Sequence, residues 1–417
     1  MKTMRVLWLS NKTHSDRDSG ATGTWLDAMA QGLVESGQVQ LANIAPGAVR
    51  AVKRCDCGKV EQWLFPGDAK PKHNGLPGRR HVAGVLKAVV EFGPDLVHVW
   101  GTENFWGLLT ARKMISGPAL LEMQGLKTAI AKVYAGGLSF REQLACIGIK
   151  EVLRCSPIWQ GQKQFQRWGR LEREIIRGHQ FVTVQSDWLE SQIRAINPRG
   201  NVLRNEFALR KEFTEAQPWQ PQDEKRIFCS AGYPSPFKGV HVGMRALALL
   251  KPMCPGVQLR IAGAFQRPGL RQEGYVVWLN REALRLGVED RLHWLGPLPA
   301  EGVVAEMQKC AAVLLPTFVE GYCLALAEAM LLGVPCVVSF VGGTSYLARD
   351  DDSALFFPPG DAEMCAHQVA RVLEDRELAQ KMSQRSREIA VVRNNTQAIV
   401  QNQLAIYRKI VTGSSAR

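Results

Sequence analysis

Two glutamates, Glu320 and Glu328, are separated by seven residues. A carboxylate can accept two hydroxyl hydrogen bonds at once, so each glutamate suits a diol of a ribose or of a sugar ring. Glu320 precedes Gly321 in a predicted loop, whereas Glu328 falls in an apolar run that predicts a helix from near Tyr322 to Gly333. Because a charge in an apolar helix is costly to bury without a partner, this spacing favours hydroxyl binding over a purely structural role.

The start of the same predicted helix adds a second kind of chemistry. The loop before it follows a strand that ends near Leu315, and open α/β sheets bind ligands beyond the carboxyl ends of their strands. A helix N-terminus presents free backbone N–H groups and a positive dipole end, which suit a diphosphate. Gly321 lets the backbone approach closely. The segment therefore predicts a diphosphate site.

Lys238 and Gly239 form a third candidate, a few residues after the predicted strand Arg226–Ser230. A lysine that opens a helix can neutralise a phosphate at that position, although a lone lysine is also a common surface residue.

The segment from Glu320 to Pro335 resembles the donor motif of the retaining family 4 glycosyltransferases, including the Glu-Ala-Met that ends at Met330 and the later Gly-x-Pro. The resemblance implies that Glu328 binds the nucleotide ribose and that Glu320 contacts the transferred sugar. Lys238 matches a diphosphate-binding lysine, but Tyr233 stands where the family usually has arginine, which Arg210 or Arg204 could replace. The resemblance assigns catalysis to Glu320 and Lys238. The donor-binding prediction comprises Glu328, Gly321, Tyr322, Cys323, Leu324, Gly232, Tyr233, Gly239, Leu295, Gly296 and Gly23.

The acceptor-side prediction rests on three further segments. His98-x-x-Gly-Thr-Glu, Met123-Gln-Gly-Leu and Asn205-Glu-x-x-x-Arg resemble a subgroup of family 4 enzymes of surface-polysaccharide assembly. They predict acceptor-side roles for His98, Thr102, Glu103, Gln124 and Arg210. His98 alternates with Trp100 along a predicted strand, so it suits a core position equally well.

The resemblance implies transfer with retention. No carboxylate-rich motif such as Asp-x-Asp for magnesium occurs in a suitable loop, so we predict transfer without a metal or other cofactor. The donor would be a UDP- or GDP-type nucleotide-sugar, and the acceptor a glycan or lipid-linked saccharide. Cations and aligned N–H groups would stabilise the leaving diphosphate. Two alternatives remain open: an epimerase or phosphorylase on the same architecture, and a nucleotide-sugar-binding module without activity, suggested by Tyr233 and Gln124.

Short apolar runs alternate with amphipathic stretches along the chain, which predicts an α/β protein with parallel sheets. The resemblance makes this fold GT-B, two Rossmann-like domains whose parallel sheets face each other across a cleft. We predict an N-terminal, acceptor-side domain over 1–215 and a donor-binding domain over 225–390. A C-terminal helix in 391–417 would pack back on the N-terminal domain, and the proline-containing segment 216–225 predicts an extended connection.

A net charge of +13 suits nucleic acid, an anionic membrane face or a phosphorylated substrate. The basic residues are spread along the chain without a zinc-finger or RNA-binding spacing, so nucleic acid is not expected as a partner. No apolar run is long enough for a signal peptide or a membrane span. We therefore expect a cytoplasmic protein, with peripheral attachment to the inner membrane face left open.

Overall fold

The computed structural model describes residues 3–14, 25–265 and 272–415. The strands are β1 (Met4–Leu9), β2 (Val39–Gly47), β3 (Lys53–Cys57), β4 (Val60–Pro66), β5 (Leu96–Trp100), β6 (Ala119–Glu122), β7 (Phe181–Val184), β8 (Asn201–Arg204), β9 (Arg226–Gly232), β10 (Gln258–Gly263), β11 (Leu292–Gly296), β12 (Ala312–Leu315), β13 (Cys336–Ser339) and β14 (Leu355–Phe357).

The helices are α1 (Trp25–Glu35), α2 (Arg79–Phe92), α3 (Trp106–Ala111), α4 (Lys127–Lys132), α5 (Phe140–Ala145), α6 (Ile149–Arg154), α7 (Ile158–Gly178), α8 (Asp187–Ile196), α9 (Lys211–Thr214), α10 (Val240–Met253), α11 (Gly274–Leu286), α12 (Ala300–Lys309), α13 (Leu324–Leu332), α14 (Thr344–Leu347), α15 (Ala362–Glu374), α16 (Arg376–Arg393) and α17 (Thr396–Ser415). Short 3₁₀ turns cover Pro236–Lys238 and Glu289–Arg291.

The chain forms two compact units. Unit 1 comprises Met1–Thr128, Arg167–Arg210 and Asn394–Arg417, and unit 2 comprises Ala129–Gln166 and Lys211–Arg393. This division differs from the predicted N-terminal domain over 1–215, because residues 129–166 leave the first sheet after β6 and pack within unit 2. The last helix, α17, belongs to unit 1 and packs on α1.

Unit 1 is built on a sheet of strand order β3-β4-β2-β1-β5-β6-β7-β8. Its pairs are parallel apart from the antiparallel β3–β4 pair. The central strands β1 and β5 are apolar along nearly their whole length and are buried, as strands covered on both faces must be. The apolar runs at 5–10, 39–45, 95–100, 119–123 and 180–184 predict β1, β2, β5, β6 and β7 to within two residues at each end, whereas β3, β4 and β8 were not predicted.

Unit 2 is built on a parallel sheet of order β11-β10-β9-β12-β13-β14. Strands β9 and β12 are neighbours, so the loops that follow them leave the same edge of the sheet side by side. The loop after β9 leads into α10, and the loop after β12 leads into α13. This adjacency brings together two sequence segments that are about eighty residues apart.

The predicted connection 216–225 contains neither helix nor strand but is anchored to unit 2. Trp219 is 5% exposed, and its indole N–H donates to the carbonyl oxygen of Cys310 at 2.8 Å. The segment is therefore packed against unit 2 rather than loose.

Candidate active site

The turn after β9 brings Lys238 to the carboxyl edge of the sheet in unit 2. The 3₁₀ turn Pro236–Lys238 ends at Gly239, whose φ of +71° lies in the left-handed region that favours glycine. A Cβ at Gly239 would stand 1.8 Å from the carbonyl oxygen of Pro316, in the loop after β12. Gly239 is therefore required both by its backbone conformation and by direct contact between the two loops.

The loop after β12 is fixed to that turn by backbone hydrogen bonds. The N–H of Phe318 donates to the carbonyl oxygen of Phe237 at 2.8 Å. On its other side, Gly343 N–H donates to the Glu320 carbonyl oxygen at 2.9 Å. Glu320 is therefore held from both sides of its loop.

Lys238 and Glu320 form an ion pair in this arrangement, with Nζ 2.8 Å from Oε1. The two side chains are 24% and 17% exposed. Burial opposes the charged lysine, but the carboxylate of Glu320 outweighs it, and the pKa of Lys238 is raised above its ordinary value. Lys238 is therefore a fixed cation at the point where the sequence predicts a diphosphate.

Helix α13 begins beside this pair. Its N-cap residue, Cys323, makes no side-chain capping hydrogen bond, so its side chain does not occupy the first backbone N–H groups of the helix. Glu328 lies one turn further along and is 8% exposed. The helix ends at Gly333 in the left-handed conformation, as predicted, and starts two residues later than predicted.

The other predicted donor residues lie on unit 2 at the same strand ends or loops. Gly321, Tyr322 and Cys323 are buried between Glu320 and α13, and Leu324 is half-buried at its start. Gly232 ends β9 and is exposed; Tyr233 follows it and is 46% exposed. Leu295 and Gly296 end β11 and are half-buried. Gly23 lies outside the described residues.

Two of the predicted acceptor-side residues are core residues, which corrects their assignment. The His98 side chain is 0% exposed, stacks on Trp100 and has Nδ1 2.7 Å from the hydroxyl of Tyr407. Burial lowers its pKa well below the ordinary value, so the ring is neutral. Thr102 is also 0% exposed and donates its hydroxyl to Glu172 at 2.8 Å. Neither side chain presents a surface to an acceptor.

Glu103 differs from these two in having a carboxylate oxygen without a partner. Its Oε1 accepts from the N–H of Gly125 at 3.0 Å, whereas Oε2 is buried and unpartnered among the described residues. Burial raises the pKa of Glu103 to about 7, with Lys127 lowering it and Glu172 raising it. Gly101, at φ +83°, leaves room for this carboxylate, because a Cβ there would stand 1.8 Å from Oε2.

Gln124 lies beside Glu103. The same added Cβ at Gly101 would stand 3.1 Å from Gln124 Oε1, which places both side chains at the carboxyl edge of β5 and β6. Arg210 is half-buried in the segment after β8. Arg204 cannot supply the missing arginine freely, because its guanidinium pairs with Asp187 and with Glu190 at 2.7 Å.

His241 is a site component that sequence reasoning missed. Its Nε2–H donates to the carbonyl oxygen of Gly136 at 2.9 Å, and its Nδ1 accepts from the hydroxyl of Tyr275 at 2.9 Å. Its ring stacks on Phe318, two residues before Glu320. Burial, and then Arg245, lower the pKa of His241 to about 4. No motif signals this role, since its partner in the segment 129–166 is a backbone oxygen.

No three His, Cys, Asp or Glu side chains within 3–14, 25–265 and 272–415 are grouped so as to hold a metal ion. Over the same ranges, none of the helices combines the length and the apolar character needed to cross a membrane.

Residues 211–389 match the family described as Glycosyl transferases group 1. Over 190 residues the chain is 30% identical to D-inositol 3-phosphate glycosyltransferase of Corynebacterium efficiens, a match that covers 45% of this chain and 43% of that protein. The chain thus spans less than half the length of these curated relatives that it matches.

Two solved structures are similar over nearly the whole chain. Sucrose-phosphate synthase from Thermosynechococcus elongatus has a TM-score of 0.78 at 17% identity, covering 99% of this chain and 100% of that one. Anabaena HepE, solved in complex with UDP-glucose, has a TM-score of 0.66 at 17% identity, covering 96% and 99%. The chain therefore has the predicted GT-B fold, and the part that carries Lys238, Glu320 and Glu328 matches the group 1 glycosyl transferases.

Proposed function

We propose that this protein is a glycosyltransferase that moves a sugar from a nucleoside diphosphate sugar to a glycan or lipid-linked saccharide, in the assembly of a surface polysaccharide or glycoconjugate. One observation carries the proposal. Lys238, Glu320 and the start of α13 meet at the carboxyl edge of β9 and β12, within the segment that matches the group 1 family.

Each of these groups has a role in the proposed reaction. Lys238 and the N–H groups that open α13 neutralise the diphosphate as it leaves, which lowers the transition-state energy without a metal ion. Glu320 accepts hydrogen bonds from hydroxyls of the transferred sugar, and Glu328 accepts those of the ribose. Transfer with retention is part of the proposal and is supported by the resemblance of this segment to the retaining enzymes.

Glu103 and Gln124 are the residues that we assign to the acceptor. The unpartnered Oε2 of Glu103 can accept the hydrogen of an acceptor hydroxyl, and the amide of Gln124 can orient it. The HepE structure contains UDP-glucose, and we accordingly propose a UDP sugar as the first donor to test.

The test is a thermal-shift screen of the wild type against UDP, GDP, ADP and their sugars, beside Glu328→Ala. Because ligand binding to the folded state raises its melting temperature, one nucleotide should shift the wild type and leave Glu328→Ala nearly unshifted. Glu301→Ala, at an exposed position on α12, is the control and should retain the shift. The selected donor is then incubated with and without saccharide acceptors.

Two results would overturn the proposal. The first is the absence of a shift with any nucleotide at millimolar concentration. The second is conversion of the donor sugar to its epimer without acceptor, which would identify an epimerase instead. Product with the donor's anomeric configuration, formed in the presence of EDTA, supports both retention and metal independence.

A further inference from the structure

Five apolar side chains are exposed within a stretch of fourteen residues in unit 2. Two short helices, α5 and α6, carry them, and they are referred to here as the apolar patch: Phe140 (68% exposed), Leu144 (44%), Ile149 (57%), Val152 (66%) and Leu153 (75%). Soluble proteins rarely leave such a cluster uncovered unless it meets a partner or a membrane.

The two helices are anchored from beneath, so the patch is a fixed surface. Lys150 Nζ lies 2.5 Å from Glu273 Oε1, and Glu142 pairs with Arg245 on α10. Cys146, between the two helices, is 2% exposed, and a Cβ at Gly274 would stand 1.9 Å from its carbonyl oxygen. The apolar side chains are exposed although the segment that carries them is packed.

The charge around the patch is positive. Glu142 is occupied by Ser139 and Arg245, and Glu151 accepts from the N–H of Gly148 at 3.0 Å. Arg141 and Arg154 are exposed, and neither pairs with an acidic side chain among the described residues. The patch therefore presents apolar groups with unneutralised arginines beside them.

We propose that the apolar patch, with Arg141 and Arg154, docks the protein on an anionic phospholipid bilayer. Apolar side chains enter the boundary between head groups and acyl chains, while arginines pair with anionic head groups. A second copy of the chain fits less well, because a two-fold interface centred on the patch would bring each copy's arginines close to those of the other.

The patch is connected to the candidate donor site through a few residues. Gly136 precedes α5, accepts the hydrogen bond of His241 and lies so close to Pro236 that a Cβ would meet the Pro236 oxygen at 2.2 Å. A Cβ at Gly137 would meet the ring of Phe318 at 3.3 Å. Docking would hold the Lys238–Glu320 pair at a fixed position relative to the bilayer, which suits a lipid-linked acceptor. Only this last consequence rests on the proposed function; docking can be measured without turnover.

The first test is co-sedimentation with vesicles of phosphatidylcholine alone or mixed with phosphatidylglycerol. The wild type should sediment with the mixed vesicles, less so at high salt, and Val152→Asp/Leu153→Asp should bind at least tenfold more weakly. Val90→Asp/Val392→Asp, at positions 81% and 79% exposed outside the patch, is the matched control and should bind like the wild type. Equal losses in both double variants would overturn the proposal.

A double substitution of the two arginines tests the electrostatic contribution to vesicle binding separately from the apolar one. Arg141→Gln/Arg154→Gln should weaken binding to mixed vesicles severalfold and reduce its salt dependence, because two cations near the head groups are lost. Lys70→Gln/Lys87→Gln, which removes two exposed lysines elsewhere, should have little effect. If both double variants weakened binding equally, the vesicles would be attracting the protein through its net charge alone. That result would contradict docking through the patch.

A third measurement avoids substitutions in the patch. Cys155 follows α6 directly and is exposed, whereas Cys55, Cys146, Cys229, Cys254, Cys310, Cys323, Cys336 and Cys365 are buried or half-buried. An environment-sensitive fluorophore on Cys155 should shift its emission to the blue when mixed vesicles are added, with Cys155→Ser as the labelling control. The absence of this shift would overturn the proposal. So would light scattering that shows a dimer dissociated by Val152→Asp/Leu153→Asp, without vesicle binding by the wild type.

Discussion

The ammonium of Lys238 lies 2.8 Å from the carboxylate of Glu320, although the two residues are 82 positions apart in the chain. Both are at the carboxyl edge of the sheet in unit 2, on loops that follow the neighbouring strands β9 and β12. In this pair, each charge is compensated by the other. In the proposed reaction, the lysine also stabilises the charge that develops on the diphosphate.

Replacement of Lys238 by glutamine should reduce turnover by about 10²–10³-fold, the usual loss when one preorganised group is removed from a developing anion. Lys238→Arg keeps the positive charge on a side chain of different shape, so its turnover should fall less than that of Lys238→Gln. The measurement is kcat with a saturating donor. Lys251→Gln, which breaks the ion pair with Asp290 elsewhere in unit 2, is the control and should leave kcat unchanged. Equal turnover in Lys238→Gln and wild type would remove Lys238 from the mechanism.

The close contact at Gly239 gives a prediction about stability. Gly239→Ala adds a Cβ at 1.8 Å from the Pro316 oxygen on top of an unfavourable positive φ. Gly256 has a similar φ of +83°, and a Cβ added there would have no atom within 4 Å. Gly256→Ala should therefore lower the free energy of unfolding only by the cost of the left-handed backbone, about 1–2 kcal/mol. Denaturant unfolding should show a distinctly larger loss for Gly239→Ala, together with loss of nucleotide binding. Equal losses would mean that the two loops can separate without cost.

Ten of the fourteen described strands could be predicted from the sequence, because buried parallel strands appear in it as short apolar runs between helical stretches. Strands β3, β4, β8 and β14 were missed; Lys53–Cys57 is mostly polar, and β3, β8 and β14 lie at sheet edges. The meeting of Lys238 with Glu320 was not predicted as an ion pair. It follows once β9 and β12 are known to be neighbours, an order that no local pattern encodes.

Two other features depended on contacts that residue types do not reveal. The attachment of residues 129–166 to unit 2 uses the backbone oxygen of Gly136 and the close approach of Gly136 to Pro236. Strand alternation did not show whether His98 faces a ligand or the core, and its hydroxyl partner, Tyr407, is 309 residues further along. Long-range partners of this kind appear only in the folded chain.

That partner gives a prediction for helix α17. The hydroxyl of Tyr407 contacts His98 Nδ1 at 2.7 Å and accepts from the indole N–H of Trp8 at 3.1 Å. Tyr407→Phe leaves two buried groups without their partner and should lower the free energy of unfolding by about 1–3 kcal/mol. Tyr346→Phe, at a position 39% exposed, is the control for loss of a hydroxyl. A Tyr407→Phe protein as stable as wild type would show that the helix is not held by this contact.

The carboxylate of Glu103 gives a prediction about pH. Because burial raises its pKa to about 7, Glu103 is protonated below that pH and cannot act as the base that takes the proton of an acceptor hydroxyl. The value of kcat/KM for the acceptor should therefore rise as the pH increases through about 7 and then level off. Its stability effect has the opposite sign: the folded state binds this proton more tightly than the unfolded chain, so stability falls as pH rises from about 4.5 to about 7.

Glu103→Gln should abolish the acidic limb of that profile and lower its plateau by about 10²-fold or more, the usual contribution of a positioned acid–base group. Lys127 and Glu172 face the same carboxylate and remain in the variant, so a limb that persists would belong to a group other than Glu103. Glu91→Gln, at a side chain 47% exposed, should retain the wild-type profile. The same variant should also show a smaller decline in stability between about pH 4.5 and 7, a readout that does not depend on activity; part of the decline remains, because burial raises the pKa of Glu122 to about 8. If the decline becomes smaller but the activity limb stays, Glu103 is a buried carboxyl without a role at the acceptor.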